Sequence, residues 1–299
     1  MPSAEHEALV ASLKSQPQGP APATIEAMRA GLASLAAVFE GIPFPPGVKQ
    51  EAVSAGGVPG FWFVPDGATG DRAIVYLHGG GYVMGSVATH RSLIARLALA
   101  TGMRVLALDY RLAPEHPFPA AIDDVATAHQ WLQDRGIPAS RIVFAGDSAG
   151  GGLVLGSLVA LRDAGDLLPA AAIALSPLAD LELTGASAHR GIDDPMVTVD
   201  GTHLMAAAYL KGGTSARDPR ASPIHADFRG FPPLRIEVGT REILLDDALR
   251  VTEAARRDGV RVELFVGEGL THVWQLHPHL PEAAESVVRI ARFVRSRVR

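Results

Sequence analysis

Short apolar runs alternate with stretches of helical spacing from position 48 to the end of this chain. Such alternation is typical of a mostly parallel sheet whose buried strands are covered by helices on both faces. Right-handed crossovers would bring the loops that follow the strands to one edge of this sheet. The eight predicted strands are 50–54, 60–64, 73–77, 105–108, 142–144, 171–175, 234–238 and 262–266, and the helices between and after them are 90–100, 120–134, 151–164, 246–258 and 281–297.

The first 46 residues differ from the rest of the chain. Apolar side chains have helical spacing at 8–10 and 25–39, and Pro-rich stretches at 16–22 and 43–46 interrupt this spacing. The pattern predicts two helices packed on a main body formed by residues 47–299. A simple N-terminal extension is the alternative interpretation.

A second irregularity separates the strands predicted at 171–175 and 234–238. This segment contains a helix-like stretch at 202–210 and several turn signals. Because a structureless loop of this length is improbable in a compact domain, we expect structure here. An insertion at about 178–230 is therefore predicted to form a lid with the N-terminal helices.

Composition narrows the class of protein. The chain has 299 residues, 47% of them hydrophobic, a net charge of -5 and no cysteine. The acidic balance argues against nucleic-acid binding, and the lack of cysteine excludes disulfides and thiolate metal sites. The longest apolar stretch, 167–178, is shorter than the ~20 residues of a membrane span, and no secretory leader pattern is visible. We expect a soluble cytoplasmic protein without membrane insertion.

A candidate nucleophile lies on the turn Gly146-Asp147-Ser148-Ala149-Gly150, between a predicted strand and a predicted helix. Glycines two positions either side let the backbone fold sharply, so that the serine hydroxyl points out of the sheet toward the helix N-terminus. A helix N-cap serine is the alternative role, but a cap would not require both glycines. The pattern predicts a nucleophilic Ser148.

Three consecutive glycines follow another strand, in His78-Gly79-Gly80-Gly81-Tyr82. Their backbone N–H groups can point into a cavity that a Cβ would block. Acyl transfer requires such donors around the developing oxyanion, and Gly80, Gly81 and Ala149 are the candidates. An ordinary flexible turn is the alternative. His78 is expected to shape this loop rather than to act as a base.

His272 follows the last predicted strand and is the candidate base among the 11 histidines. The chain order serine, acid, histidine suits such a fold. His277 and His279 are close behind, at the start of the final helix. An acid after the penultimate strand would fix the imidazole tautomer. Glu242 is the first choice for this acid because it lies on the loop. Asp246 is the second choice, because Asp246 and Asp247 open the next helix, where acids are expected simply as partners of the helix dipole.

Together these residues resemble the hormone-sensitive-lipase-like branch of the α/β-hydrolases, the bacterial family IV carboxylesterases. The resemblance rests on His78–Gly81, Asp109–Ala120, Gly146–Gly151 and His272. It implies an α/β-hydrolase fold with an eight-stranded sheet and a helical cap. It also implies that the Asp109–Ala120 block is a rigid structural loop beside the active site. The usual acid motif of the family, Asp-Pro-Leu-x-Asp, is Glu242-Ile243-Leu244-Leu245-Asp246 here.

The resemblance predicts hydrolysis of esters with short acyl chains and implies no metal or organic cofactor. Homodimers are frequent in the family, often through the edge strand near 262–266. Amide cleavage by the same residues and a non-catalytic receptor role on the same fold are the alternatives. The substrate pocket is expected to draw on Tyr82, Val83, Leu204, Met205, Tyr209 and Ile243.

Overall fold

A computed structural model describes residues 1–15, 24–40 and 44–298, with the backbone alone for 33–40. The Pro-rich stretch 16–22 and Pro43 lie outside the described residues. The strands are β1 (Val48–Ala55), β2 (Val58–Pro65), β3 (Ala73–Leu77), β4 (Arg104–Leu108), β5 (Ile142–Asp147), β6 (Ala171–Leu175), β7 (Leu234–Arg241) and β8 (Val262–Thr271). The helices are α1 (Ala4–Ser15), α2 (Ile25–Glu40), α3 (Val87–Thr101), α4 (Ala120–Asp134), α5 (Ala149–Ala164), α6 (Ala186–His189), α7 (Val199–Tyr209), α8 (Leu245–Arg257) and α9 (Pro281–Arg297).

The eight strands form one sheet in the order β1-β2-β4-β3-β5-β6-β7-β8. β1, β2 and β4 pair antiparallel, and every later pairing from β4 to β8 is parallel. The prediction of a mostly parallel eight-stranded sheet is confirmed. Because the parallel strands share one direction, the loops after β3, β5, β7 and β8 meet at one edge.

Side chains of the central strands alternate between two cores, one on each face of the sheet. In β3, Val75 and Leu77 pack into the core beneath α4, α5 and α8, whereas Ile74 and Tyr76 pack into the core beneath α3 and α9. The whole strand is buried. The uninterrupted apolar sequence of β3 follows from this burial on both faces.

Local sequence sets the helix ends that matter for the site. Ser86 caps α3 through its side chain and forms a reciprocal capping box with Thr89, and the helix ends at Gly102 in the left-handed conformation. α9 begins at Pro281, where the missing N–H costs no helical hydrogen bond. These caps fix the lengths of the helices that flank the sheet.

Four of the described helices lie outside the sheet-and-helix alternation. α1 and α2 come from the N-terminal segment, and α6 and α7 come from the segment between β6 and β7. α2 packs mainly against α3. None of the helices in the described part of the chain combines the length and the apolar character needed to cross a membrane.

Candidate active site

Ser148 occupies a strained turn between β5 and α5. Its φ of 53° and ψ of -123° lie outside the conformations that a serine ordinarily adopts. The strained backbone is held by three hydrogen bonds: Ser148 N donates to Leu175 O, and Ser148 O accepts from Leu178 N and Gly152 N. A Cβ at Gly150 would collide with the carbonyl of Leu77. Glycine is therefore required where α5 packs onto β3, and the turn has the geometry that exposes a nucleophile.

His272 is joined to Glu242. The distance from His272 Nδ1 to Glu242 Oε2 is 2.8 Å, and both side chains are buried. The strand register explains the meeting, because Arg241 of β7 pairs with Thr271 of β8, so that the next residue of each strand lies at the same sheet edge. When Nδ1 of His272 carries the ring proton and donates to the carboxylate of Glu242, Nε2 has no proton and can accept one.

Glu242 is itself held by two further donors. Its Oε1 accepts hydrogen bonds from Gly239 N at 2.6 Å and from the Ser176 hydroxyl at 2.8 Å. The hydroxyl oxygen of Ser176 in turn accepts from Val273 N at 3.2 Å. Sequence reasoning missed Ser176, whose only signal was its position directly after a buried strand. It connects the acid to the residue that follows His272.

The second candidate acid has another role. Asp246 accepts a hydrogen bond from Ser187 N at 2.9 Å, and Ser187 Oγ accepts one from Asp246 N at 3.0 Å. This reciprocal pair ties α6 to α8. Asp247 accepts from Ala179 N and Asp180 N, and burial raises the pKa of this carboxyl to about 8. The structure brings Glu242, not Asp246 or Asp247, to the histidine.

The glycine loop borders the same space as the serine and the histidine. Gly80 and Gly81 line a cavity together with Ser148 and His272. Both glycines have positive φ, 119° and 61°, and a Cβ at Gly81 would fall on the sulfur of Met205. Ala149 is the first residue of α5, where backbone N–H groups have no partner within the helix. These three residues are the predicted oxyanion donors.

His78 supports this loop from below. It is 1% exposed, its Nδ1 lies 2.8 Å from Gly79 O, and its ring stacks on Tyr110 at 4.3 Å between centroids. Burial and the neighbouring His90 lower the pKa of His78 to about 4. The side chain is therefore neutral and packed, in agreement with a structural role.

A buried polar cluster lies behind the nucleophile turn. Asp147 accepts a hydrogen bond from the Tyr76 hydroxyl at 2.6 Å, and His90 Nε2 lies 3.2 Å from its other carboxylate oxygen. Burial opposes ionisation, but His90 and the Tyr76 hydroxyl outweigh it and keep the pKa of Asp147 below its usual value. The residue between Gly146 and Ser148 thus anchors the turn to β3 and α3.

The cavity above Ser148 has a volume of about 420 Å³ and apolar walls. α2 contributes Met28 and Leu32, and α7 contributes Met205. Four of the six methionines of the chain line it, at positions 28, 84, 196 and 205. Methionine side chains adapt their shape to irregular partners, so these walls suit apolar groups of more than one shape.

Of the six residues predicted to line the pocket, Met205 does so. The other five, Tyr82, Val83, Leu204, Tyr209 and Ile243, are not among the lining residues of this cavity. Tyr82 and Tyr209 are buried beneath it and stack on each other at 3.9 Å between centroids. Val83 and Ile243 are core residues, and Leu204 is half-buried and packs against the core.

The prediction failed for these five because position in the chain does not determine the direction of a side chain. The missed lining residues of α2 and the insertion are Ala27, Met28, Gly31, Leu32, Met196, Val197, Thr198, Gly201 and Thr202. Helical spacing predicted the two helices but not which face of each meets Ser148, and residues 196–198 precede α7.

The Asp109–Ala120 block packs beside the site as a braced loop. Arg111 binds Asp124 of α4 through its backbone N at 2.8 Å and its Nε at 2.9 Å. Asp109 accepts from Val87 N at the start of α3. From α2, Arg29 reaches the loop and forms a bidentate ion pair with Glu115. The block therefore connects the sheet to the N-terminal segment.

The sequence matches a known family over this region. The model of the alpha/beta hydrolase fold family covers residues 74–276. A crystal structure of an esterase from the bacterial hormone-sensitive lipase family is 42% identical, covers 100% of both chains and superposes with a TM-score of 0.93. The chain belongs to the hormone-sensitive-lipase-like branch of the α/β-hydrolases.

Two further relatives of this α/β-hydrolase carry more specific names. An acetyl-hydrolase of Streptomyces hygroscopicus is 43% identical over 261 residues, which are 86% of this chain and 85% of that protein. The crystal structure of EstE5 soaked with p-nitrophenyl butyrate is 41% identical, covers 99% of both chains and has a TM-score of 0.90. The predicted family and fold are confirmed by these likenesses.

Proposed function

We propose that this α/β-hydrolase is a serine carboxylesterase that cleaves short- to medium-chain acyl esters through an acyl-enzyme. Its family makes it a carboxylic ester hydrolase, as the esterases and acetyl-hydrolases among its relatives indicate. One observation carries the proposed mechanism. Ser148 and His272 line one cavity, and Glu242 holds the imidazole with Nδ1 2.8 Å from its carboxylate.

The first half of the reaction acylates the serine. His272 Nε2 takes the hydroxyl proton as Ser148 Oγ bonds to the ester carbonyl carbon, and the carbonyl π electrons move to the oxygen. The N–H groups of Gly80, Gly81 and Ala149 stabilise that oxyanion, and the N-terminus of α5 adds a favourable dipole. Glu242 stabilises the imidazolium that forms beside it.

Two further steps release the products. The oxyanion collapses, the ester C–O bond breaks, and the imidazolium protonates the departing alcohol, which leaves the acyl-enzyme. Water then loses a proton to His272 and attacks the acyl carbon, the bond between that carbon and Ser148 Oγ breaks, and the imidazolium returns its proton to Oγ as the carboxylic acid leaves. One imidazole thus moves every proton, so the tautomer that Glu242 imposes matters at each step.

The substrate range follows from the walls of the cavity. We propose that α2 and the insertion at about 178–230 form a cap over Ser148, since side chains from both line the cavity. α1 contributes no side chain to the described walls. A cavity of about 420 Å³ limits the length of acyl chain that it can bury. The soak of EstE5 with p-nitrophenyl butyrate supports a short acyl chain for the family fold.

Activity on p-nitrophenyl esters is expected to be highest with acetate to hexanoate and to fall toward palmitate. A chain longer than the cavity must bend or displace the capping helices, which costs binding energy, and its outer methylene groups gain no burial in return. Initial rates across the series, divided by the concentration of active sites, check this. Equal rates out to palmitate would contradict the proposed cap.

Met205→Ala provides the matched variant for the same series. Removing the thioether enlarges the cavity beside Gly81, so relative activity should shift toward longer chains. Leu99→Ala serves as its control, because Leu99 is 41% exposed on α3 and is not among the residues lining the cavity. If Met205→Ala leaves the chain-length profile unchanged, α7 does not form part of the wall that binds the acyl chain.

On the acidic side of its pH profile, kcat/KM is expected to fall to half its maximum at a pH above 6.5, the ordinary pKa of histidine. Burial alone would lower the pKa of His272, but the hydrogen bond and charge of Glu242, with Asp194 and Asp147, raise it overall. A raised pKa means that protonation disables the base at a higher pH, so activity is lost earlier on acidification. Rates from about pH 5 to pH 9, with the fold monitored by fluorescence, measure this midpoint. A midpoint clearly below 6.5 would contradict the assignment.

Amide cleavage uses the same residues and is the second candidate activity. Esters and amides of one acid and one aromatic leaving group, assayed side by side, separate the two. A receptor role is disfavoured because binding alone would require no base joined to an acid, whereas His272 lies here with the carboxylate of Glu242 at 2.8 Å.

A further inference from the structure

Helix α1 packs against the loop that carries His272. Pro2 fills the space beside Gly269, where a Cβ would touch its ring. Ser3 donates from its backbone N and its hydroxyl to the carboxylate of Glu282, at 2.6 and 3.0 Å. Leu9 packs against the apolar cluster that contains Trp274. The N-terminal segment therefore contacts both ends of the connection between β8 and α9.

His6 lies at the centre of this contact and is fully buried. Its Nε2 is 3.2 Å from the backbone N of Thr271 and 3.2 Å from the hydroxyl oxygen of Thr271. Because a backbone N–H can only donate, Nε2 accepts and the ring proton is on Nδ1. Burial lowers the pKa of His6, Arg241 lowers it further, and Glu282 and Glu7 oppose both. The ring is therefore neutral, as an acceptor must be.

The two residues that flank His272 are each held by a side chain from elsewhere in the chain. Thr271 N donates to His6, and Val273 N donates to the Ser176 hydroxyl at 3.2 Å. Val273 has a φ of 44°, which is a strained conformation for a β-branched residue. Strain of this kind persists only where the surroundings impose it.

We infer that His6 is a positioning residue for catalysis, and that α1 fixes the backbone from which His272 reaches Ser148. The inference rests on the proposed function, since it assigns His6 a role in orienting that base. Ser176 holds the loop from the side of the acid, and His6 holds it from the side of the N-terminus. A base that must meet a hydroxyl within hydrogen-bond reach is sensitive to small displacements of its backbone.

His6→Leu and His6→Gln test this role as a pair. Leucine fills the site without an acceptor, whereas the side-chain oxygen of glutamine can accept from Thr271 N. We expect His6→Leu to lower kcat by roughly 10- to 100-fold with KM nearly unchanged, because α1 does not line the described cavity. His6→Gln should restore most of the loss. Glu5→Gln, an exposed position of α1, should match the wild type.

Two results would overturn the inference: an unchanged kcat in His6→Leu, or equal losses in His6→Leu and His6→Gln. If His6→Leu does not fold, Ser3→Ala removes the hydroxyl contact with Glu282 and loosens the same segment. It should also lower kcat without raising KM, and an unchanged kcat would overturn the inference. Hydrogen exchange at residues 268–274 should rise in each impaired variant.

Labelling with an organophosphate separates this inference from the proposed function. If the proposed nucleophile is wrong, the wild-type protein itself will not be labelled at Ser148. If only the role of His6 is wrong, the wild type will be labelled and the His6 variants will react at the same rate.

Discussion

Replacing Ser148 with alanine is expected to lower kcat for p-nitrophenyl butyrate by a factor on the order of 10⁶. The hydroxyl oxygen is the only protein atom that the proposed mechanism bonds to substrate, so the acyl-enzyme cannot form once it is removed. Residual catalysis would come from the oxyanion donors and binding alone. Substrate binding should change little, since the cavity walls stay intact. Steady-state rates with titrated protein measure the loss.

Ser157→Ala is the matched control for this variant. Ser157 lies in α5, the helix that begins directly after Ser148, is 1% exposed, and its hydroxyl has no hydrogen-bond partner among the described residues. Its replacement makes the same serine-to-alanine change nearby without touching the cavity. A Ser148→Ala protein as active as Ser157→Ala would end the serine mechanism proposed here.

Replacing Glu242 with glutamine is expected to lower kcat by about 10⁴-fold. Glutamine preserves the shape of the side chain but carries no charge, and its amide can donate to Nδ1. Donation to Nδ1 places the ring proton on Nε2, which then cannot accept the proton of Ser148. The acid limb of kcat/KM should also move to lower pH, because the charge of Glu242 raises the pKa of His272.

Asp246→Asn is the matched control for Glu242→Gln. It makes the same carboxylate-to-amide change four residues later, at a side chain that binds Ser187. We expect it to retain most of the activity and to lose only about 1 kcal/mol of stability from the weakened contact with α6. Loss of activity in Asp246→Asn alone, with both variants folded, would show that the orienting acid was assigned to the wrong residue.

The central sheet could be predicted from the sequence because its strands are buried on both faces. Runs such as Ala73–Leu77 are apolar throughout, and the amphipathic stretches between them are long enough to be helices. The nucleophile turn was predictable for a related reason. Close approach of α5 to β3 at Gly150 excludes every side chain, and this requirement is visible in the sequence as glycine.

From the sequence, the acid that orients His272 could be assigned to one loop. Within this loop the sequence favoured Glu242 over Asp246 but did not decide between them. The structure separates them through the pairing of Arg241 with Thr271, a tertiary register that no local pattern encodes. Ser176 was missed for the same reason. Its hydroxyl matters because it donates to Glu242 and accepts from Val273 N, two residues distant in sequence, and a single serine after a strand carries no such signal.

The cavity walls were the least predictable part of the site. Tyr82 and Tyr209 are large and lie near the site in the chain, yet they stack beneath the cavity. Methionines from α2 and α7 provide the exposed walls instead. Which face of a capping helix meets the substrate depends on how that helix docks, and docking is decided by contacts distant in sequence. The contact of His6 with Thr271, across 265 positions, is of the same kind.

The most direct test of the account is to locate the covalent bond that the protein forms with a fluorinated organophosphate. The wild-type protein should be modified once, on the tryptic peptide that contains Ser148, and lose activity in proportion to the modification. His272→Asn should be modified far more slowly, because no base activates the hydroxyl. Modification at another residue, or full activity with Ser148 completely modified, would contradict the claim that Ser148 and His272 act together.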